Sequence, residues 1–226
     1  YALAIDEDGA VLMGGDFTIP LPGGGSVSNF IRVMSNGVID EFCRPNPGYY
    51  IYGINVQADG SFLVSGSFSA VQPHPDLTPT TRNRMARFFS NGSLDISFDP
   101  NFNGDVFGAT IQSDGKIVPA GSFTTVGGQP GAGTARLSST AVTDNLTIPS
   151  LSYIQWERLG GLAQTHDVWF DLSTDGGSTW TPLSGTVSRS PTGWQMTGIS
   201  LPSTGRVRGR ARVISGHHQG SSGIVE

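Results

Sequence analysis

Residues 58–68 read Ala-Asp-Gly-Ser-Phe-Leu-Val-Ser-Gly-Ser-Phe, and this stretch decides the fold. Two other stretches match it: Glu-Asp-Gly-Ala-Val-Leu-Met-Gly-Gly-Asp-Phe at residues 7–17 and Ser-Asp-Gly-Lys-Ile-Val-Pro-Ala-Gly-Ser-Phe at residues 113–123. Asp-Gly between apolar runs is a strong signal for a β-hairpin with a two-residue type I′ turn, because both central residues of that turn need positive φ. The sequence therefore predicts three copies of one hairpin.

Three sets of residues keep the copies in register. They are the turn glycines Gly9, Gly60 and Gly115, the phenylalanines Phe17, Phe68 and Phe123, and the arginines Arg32, Arg87 and Arg136. The glycines are 51 and then 55 residues apart. The length difference falls in Gly- and Pro-rich loops such as residues 18–28, where repeat proteins accept insertions.

Each unit is predicted to hold four short strands. In the first two copies an Asn-Gly turn, at residues 36–37 and 91–92, leads to a fourth strand at residues 38–42 and 93–98. Four strands in a unit of this length are typical of propeller blades. The sequence predicts three blade-like repeats at about residues 1–48, 49–104 and 105–145.

The bulk composition favours an all-β chain. Of the 226 residues, 37% are hydrophobic and 14% charged, with 32 Gly and 14 Pro, which fits many short strands joined by tight turns. No window has apolar residues at helical spacing between caps, so almost no helix is expected. No apolar run approaches transmembrane length, so membrane insertion is not expected.

The net charge of −5 is spread along the chain, which argues against a nucleic-acid partner. The chain starts at Tyr1 inside a predicted strand, which indicates a start that is excised, processed or incompletely identified.

The second copy carries a resemblance to a known family. Its segments are Asp59-Gly60, Leu-Val-Ser-Gly-Ser-Phe at 63–68, Arg-Asn-Arg-Met-Ala-Arg-Phe at 82–88 and Asn-Gly-Ser-Leu-Asp-Ile-Ser-Phe at 91–98. Residues 1 to about 137 resemble the delta-60 repeat family of bacterial proteins. The resemblance implies propeller-like blades in large secreted or cell-surface proteins and brings no catalytic residue. After Arg136 the chain has no Asn-Gly turn, so the array is expected to end there.

A change of composition near residues 143–150 marks a domain boundary. Eleven of the twelve Phe lie before it and all four Trp after it. Residues 146–226 are predicted to form a small antiparallel β-sandwich. The segment 194–201, followed by an Arg-rich strand, is similar to the C-terminal domain that often follows delta-60 arrays, in the fibronectin type III or immunoglobulin-like style.

Several Asp and Gly residues are predicted to be structural turns. Residues 173–180, Ser-Thr-Asp-Gly-Gly-Ser-Thr-Trp, fit the Asp-box pattern, in which the Asp accepts turn amides and Gly supplies positive φ. The predicted turn residues are Asp8, Gly9, Asp59, Gly60, Asp114, Gly115, Asp175 and Gly177. Residues 6–9 also resemble part of a calcium loop, but the equivalent residues of the other copies keep only the turn Asp. No cofactor is therefore expected, and Ca²⁺ binding at residues 6–9 is the one alternative that stays open.

No motif nominates a catalytic centre. The chain lacks a phosphate loop, a dinucleotide fingerprint and a nucleophile elbow. Among His74, His166, His217 and His218 only an adjacent pair is close in sequence, and neighbours in a strand face opposite sides. The chain is therefore not expected to be an enzyme or to carry a metal centre.

Two features of the C-terminal part are candidate binding elements. Arg206, Arg208, Arg210 and Arg212 alternate with small residues, so all four share one strand face. This face is either a solvated surface paired with carboxylates of the adjoining strand or a docking strip for an acidic partner. Of the four tryptophans, Trp194 is the candidate for stacking on a sugar ring; the alternative is that the tryptophans build the core.

Three blades cannot close a ring, since propellers take roughly four to eight. Unpaired strand edges at the ends of the array are expected to recruit further β-structure. The leading hypothesis is a non-catalytic extracellular or cell-surface bacterial protein, structural or adhesive, that assembles through other copies of the repeat. The alternative is a carbohydrate-binding accessory segment of a larger secreted protein, with polysaccharide as the partner.

Overall fold

The computed structural model describes residues 1–21, 24–72, 78–215 and 221–226. Within these residues the chain has twenty strands, which pair antiparallel, and no helix. Over the same ranges it therefore offers no helix with the length and apolar character needed to cross a membrane. The expectation of an all-β chain is confirmed.

The strands of the repeat region follow the chain order. They are β1 (Ala2–Ile5), β2 (Val11–Pro20), β3 (Ser26–Val33), β4 (Ile51–Val56), β5 (Phe62–Gly66), β6 (Ala70–Val71), β7 (Thr80–Thr81), β8 (Met85–Phe88), β9 (Val106–Ile111), β10 (Ile117–Gly121), β11 (Thr125–Val126) and β12 (Gln129–Pro130). The first repeat forms the sheet β1-β2-β3, the second β4-β5-β8 and the third the pair β9-β10. Two short ribbons, β6-β7 and β11-β12, accompany the second and third repeats.

The Asp-Gly and Asn-Gly turns close three-residue loops, and the prediction of two-residue type I′ turns was wrong. In each loop the glycine N–H donates to a carbonyl three residues earlier, and that earlier residue donates its own N–H to the residue after the glycine. The pairs are Asp6 with Gly9, Met34 with Gly37, Gln57 with Gly60, Phe89 with Gly92 and Gln112 with Gly115. Only the glycine has positive φ, between 77° and 83°, as in a three-residue loop that ends in a left-handed residue.

The predicted fourth strand of the first two repeats is reduced to a single bridge in the described residues 38–42 and 93–98. The bridges join Val33 to Ile39 and Phe88 to Leu94. The chain then turns away because the Asp40 carboxylate accepts the amides of Phe42 and Cys43, and Asp95 does the same for Ser97. A local side-chain acceptor of this kind competes with continued strand pairing.

The predicted loop at residues 18–28 is largely strand in its described part. β2 and β3 continue past a bulge after Gly14, with Thr18 opposite Ser28 and Pro20 opposite Ser26. Leu21, Val27 and Ile31 are buried together here. The apolar contact among them explains why this hairpin is longer than in the other repeats.

The repeats pack through the faces of their sheets. Each sheet has a forward face, towards the next repeat, and a rear face, towards the previous one. The forward face of the first repeat comprises Ala2, Ala4, Leu12 and Phe30, and the rear face of the second comprises Ile54, Val56, Phe62, Val64, Ala86 and Phe88; all ten residues share one buried cluster. A second cluster joins the forward-face residues Leu63 and Met85 to β9 and β10.

The C-terminal strands form two sheets around a core of their own. They are β13 (Val142–Ser150), β14 (Tyr153–Gly160), β15 (Thr165–Ser173), β16 (Thr181–Pro182), β17 (Thr186–Ser190), β18 (Gly193–Thr197), β19 (Arg206–Ser215) and β20 (Ser221–Val225). The sheet orders are β13-β14-β18-β17 and β16-β15-β19-β20. Trp156 and Met196 of one sheet pack with Phe170 and Ala211 of the other. β13 crosses the boundary expected at residue 146. We call residues 142–226 the two-sheet unit.

Residues 161–164, here called the strap, tie the two-sheet unit to the hairpin loops of the repeats. Ala163 forms an antiparallel bridge with Gln57, and the Ala58 N–H donates to Leu162 at 2.8 Å. In the orientation that satisfies both groups, the Gln164 amide bonds the backbone of Ile5 and Glu7 of the first repeat. The strap therefore covers the hairpin-loop end of the array, and its Ala163 also packs into the buried cluster between the second and third repeats.

Candidate interaction surfaces

The arginine strand β19 lies beside a buried carboxylate. Asp171 of β15, 1% exposed, accepts hydrogen bonds from Arg208 Nε at 2.9 Å and pairs with Arg210 Nη2 at 2.6 Å. Both arginines also lie over tryptophan rings: Arg208 is 4.4 Å from the Trp180 centroid and Arg210 is 5.1 Å from that of Trp169. The two central arginines thus neutralise a carboxylate of the adjoining strand, as one of the two interpretations of this face supposed.

Arg206 and Arg212, at the two ends of the same strip, are exposed. A cavity of about 280 Å³ opens beside Arg208, and its lining also includes the carboxylates of Asp144 and Glu226. Two carboxylates against one guanidinium make this cavity a poor receptor for an acidic ligand. Any docking role of the strip therefore falls to its two exposed ends.

The Trp194 side chain is held by contacts within the two-sheet unit. Its indole N–H donates to Thr165 Oγ1 at 2.8 Å, and the Arg189 guanidinium lies 4.2 Å from its ring centroid. The ring is half-buried against the core of the two-sheet unit. Its polar atom and one ring face are occupied, which does not fit the sugar-stacking role proposed for it from the sequence.

The exposed aromatic row lies instead on the repeats. Tyr1, Tyr52 and Phe107 occupy the same position in successive repeats, with the 51- and 55-residue spacing of the turn glycines. Their ring centroids are 6.3 and 6.0 Å apart, and Tyr1 and Phe107 are 59% and 49% exposed. The Asp16 carboxylate nearby is the main cause of a raised pKa at Tyr50, which flanks the row. Sequence reasoning missed the row although the repeat register contains it.

The predicted turn residues all lie in turns, with one change of role. The carboxylates of Asp59 and Asp114 accept the amides of Ser61 and Lys116 at 3.0 and 3.2 Å. In the first copy Asp6 takes this role instead of Asp8, because its Oδ1 accepts the amides of residues 8 and 10. Gly9, Gly60 and Gly115 supply the positive φ.

The Asp-box residues form a self-contained turn. Asp175 accepts the Thr179 amide at 2.9 Å and the Thr179 hydroxyl at 2.6 Å, and Ser173 Oγ donates to it at 2.7 Å. These bonds, led by the one from the Thr179 hydroxyl, hold the pKa of Asp175 well below its usual range. Gly177 has φ of 103°. All the hydrogen bonds described for the Asp175 carboxylate come from residues of this turn.

The described residues contain no group of three or more His, Cys, Asp or Glu that could hold a metal ion. His74, His217 and His218 lie outside the described residues. Burial raises the pKa of the Cys43 thiol to about 12, so this cysteine is a packing group rather than a thiolate.

The rear face of the first repeat is exposed and apolar. Leu3 and Ile5 are 53% and 49% exposed, and Val11, Met13 and Val33 beside them are half-buried. We call these five residues the open face. The equivalent residues of the second repeat are at most 8% exposed because the first repeat covers them.

Three segments of the chain, residues 7–42, 57–98 and 112–141, match the family model described as domain of unknown function (DUF5122) beta-propeller. The repeats are similar to β-propeller repeats. Each matched segment starts at the hairpin loop that follows β1, β4 or β9 and ends before the next long strand, so it contains the later strands of one structural repeat without the first strand. No curated protein and no solved structure matches the chain.

Proposed function

We propose that this chain is a non-catalytic structural or interaction protein of the bacterial cell surface or exterior, in which propeller repeats of the delta-60 kind recruit further β-structure. The two-sheet unit is proposed to be a β-sandwich of fibronectin or immunoglobulin-like style. The observation that carries the proposal is the open face. The contact surface is thus a sheet face, and not the strand edges on which the sequence hypothesis rested.

Leu3 and Ile5 expose apolar side chains to water at the open face. Contiguous exposed apolar patches are uncommon on monomers and indicate interaction sites. Burying an apolar surface stabilises a complex by about 25 cal/mol for each Å² removed from water. Leu3 and Ile5 occupy positions whose equivalents, Ile54 and Val56, are buried against another repeat. A partner that covers them gains the same stabilisation.

The experiment is sedimentation of the purified chain over a wide concentration range. The chain is expected to associate as its concentration rises, and Leu3→Glu is expected to weaken that association at least about tenfold because it places a charge in the contact. Ile96→Glu is the matched control, since Ile96 is 80% exposed in the second repeat and away from the open face. A wild-type chain that stays monomeric at the highest concentration, or association unchanged by Leu3→Glu, would refute self-assembly of this chain through the open face.

The aromatic row favours a second function, carbohydrate binding as part of a larger secreted protein. Exposed aromatic rings present apolar faces together with the polar hydroxyls of Tyr1 and Tyr52, and Asp16 supplies an acceptor for sugar hydroxyls. Polysaccharide pull-down should lose at least about tenfold in affinity in Phe107→Ala and stay unchanged in Trp194→Ala. Equal binding by Phe107→Ala and wild type would remove the aromatic row as the site.

A further inference from the structure

We infer that the partner of the open face is the forward face of another propeller repeat of the same kind, and that the third repeat of this chain presents only a weakened form of such a face. The inference rests on the proposed function, in which the open face binds a partner, and adds the identity and polarity of that partner. It follows from comparing the two repeat junctions with the two repeat faces that no other repeat described here covers.

At the first junction a small-residue and aromatic forward face meets an apolar rear face. Phe30 stacks on Phe62 with centroids 5.5 Å apart and ring planes 9° apart. A Cβ on Gly14 would lie 2.5 Å from Ile51 and 3.1 Å from Ile54, so the forward face is shaped to receive these side chains. The contact has one polarity, forward to rear.

The second junction repeats this polarity. Leu63 and Met85 of the forward face are buried with Ala109, Ile111 and Ile117 of the third repeat. These forward-face residues are the equivalents of Leu12 and Phe30 in the first junction. Asn55 adds a hydrogen bond to the Ala109 carbonyl at 3.1 Å. Both junctions therefore show an apolar rear face packed against the forward face of the preceding repeat.

The open face matches the rear faces at these junctions position by position. Its residues Leu3, Ile5, Val11, Met13 and Val33 correspond to Ile54, Val56, Phe62, Val64 and Phe88 of the second repeat and to Ala109, Ile111, Ile117, Pro119 and Leu137 of the third. Ile31, the equivalent of Ala86, is covered by the longer β2–β3 hairpin. The five residues of the open face stay partly or largely exposed, and they are apolar like the residues of the two buried rear faces.

The forward face of the third repeat differs from the other two. Val118 and Thr134 stand where the first repeat has Leu12 and Phe30, and Ala120 and Thr134 are exposed. Arg136 pairs with Asp114 of its own repeat at 2.8 Å. By contrast, Arg32 donates to the Ser90 carbonyl of the following repeat. The third repeat thus has smaller or more polar side chains on its forward face, and it lacks the arginine bond by which the first repeat contacts its successor, so its forward face is a weakened one.

A graft onto the third repeat tests this inference. The variant Val118→Leu with Thr134→Phe gives the third repeat the residues of the first forward face. It is expected to associate head to tail at least about tenfold more tightly than the wild type, as measured by sedimentation. Adding Leu3→Glu should cancel the gain. The control graft Val118→Ser with Thr134→Ser should not increase association.

The outcomes separate this inference from the proposed function. If Leu3→Glu abolishes wild-type association but the apolar graft adds nothing, the inference is wrong and the proposed function stands. If the wild type is monomeric and the graft associates through Leu3, the inference stands and self-assembly of this chain fails. Wild-type association that the serine control graft leaves unchanged would show that the open face binds a surface other than a forward face, which overturns the inference.

Discussion

At the scale of single residues, the repeated arginines show how one sequence position serves different contacts. Arg87 pairs with Asp95 through Nε at 2.7 Å and Nη2 at 2.6 Å, with both side chains buried. Arg32 lies 3.5 Å from both Asp6 and Asp40 and reaches the next repeat. Removing one partner of a buried pair leaves the other charge without compensation. These arginines therefore hold the loops of the repeats in place.

The Arg87–Asp95 pair predicts a pH dependence of stability. Burial alone would raise the pKa of Asp95, but hydrogen bonds from Ser97 and Arg87 outweigh it, so the pKa lies below its usual 3.8. A carboxyl with a lowered folded-state pKa stabilises the fold above its unfolded pKa and loses that effect as the pH falls through the folded pKa. Asp95→Asn should cost about 3 kcal/mol near pH 7, and the gap to wild type should narrow below about pH 4.

Urea unfolding of wild type and Asp95→Asn between pH 7 and pH 3 measures this gap. Asp114→Asn is the control, because Asp114 pairs with Lys116 and Arg136 at an exposed site and surface pairs contribute little. If the difference in free energy of unfolding between wild type and Asp95→Asn stays constant down to pH 3, the lowered pKa of Asp95 is contradicted.

At the scale of elements, the sequence predicts the hairpins well and their partners poorly. Asp59-Gly60 and its copies locate the turns because Gly is needed for positive φ. The loop length could not be inferred from the sequence, since it is the backbone that shows Asp59 outside the left-handed region and Gln57 hydrogen-bonded to Ser61. The strap was missed because its contact with Gln57 spans 106 residues of chain and no local pattern encodes such pairing.

The two Asn-Gly loops provide a matched pair of substitutions. Gly37 and Gly92 both have φ of 83°, but a Cβ at Gly37 meets nothing within 4 Å, whereas one at Gly92 lies 2.7 Å from Cys43 Cα. Gly37→Ala should therefore cost about 1 kcal/mol for the left-handed backbone alone. Gly92→Ala should cost about 3 kcal/mol because the neighbouring backbone must also move. Equal losses in urea unfolding would show that the Gly92 contact is unimportant.

Strand β19 combines a structural and a candidate docking role that substitutions can separate. Arg208→Ser with Arg210→Ser leaves the buried Asp171 without its cations and should destabilise the fold by about 3 kcal/mol. Arg206→Ser with Arg212→Ser changes only exposed side chains and should leave the free energy of unfolding within about 0.5 kcal/mol. If the strip docks an acidic polysaccharide, this second variant should bind it more weakly. Unchanged binding would leave the arginines with their structural role alone.

At the scale of the whole molecule, the strap and the shared core make the repeats and the two-sheet unit interdependent. Gln57, 1% exposed, donates to the Gly161 carbonyl and to Ser139 Oγ, both at 3.0 Å. Ala163 and Val213 of the two-sheet unit belong to the same buried cluster as Val106 and Ile117 of the third repeat. A cluster that spans both parts couples their unfolding, because neither part buries it alone.

The tryptophans make this coupling measurable. All four lie between residues 156 and 194, so their fluorescence reports the two-sheet unit, whereas hydrogen exchange of the β4 and β5 amides reports the repeats. In the wild type both signals should give one unfolding transition. Gln57→Ala should cost about 2 kcal/mol and separate the two signals. Gln195→Ala, which removes a bond to Ser188 inside the two-sheet unit, should lower stability without separating them. Two transitions already present in the wild type would mean that the strap is a tether between independent parts.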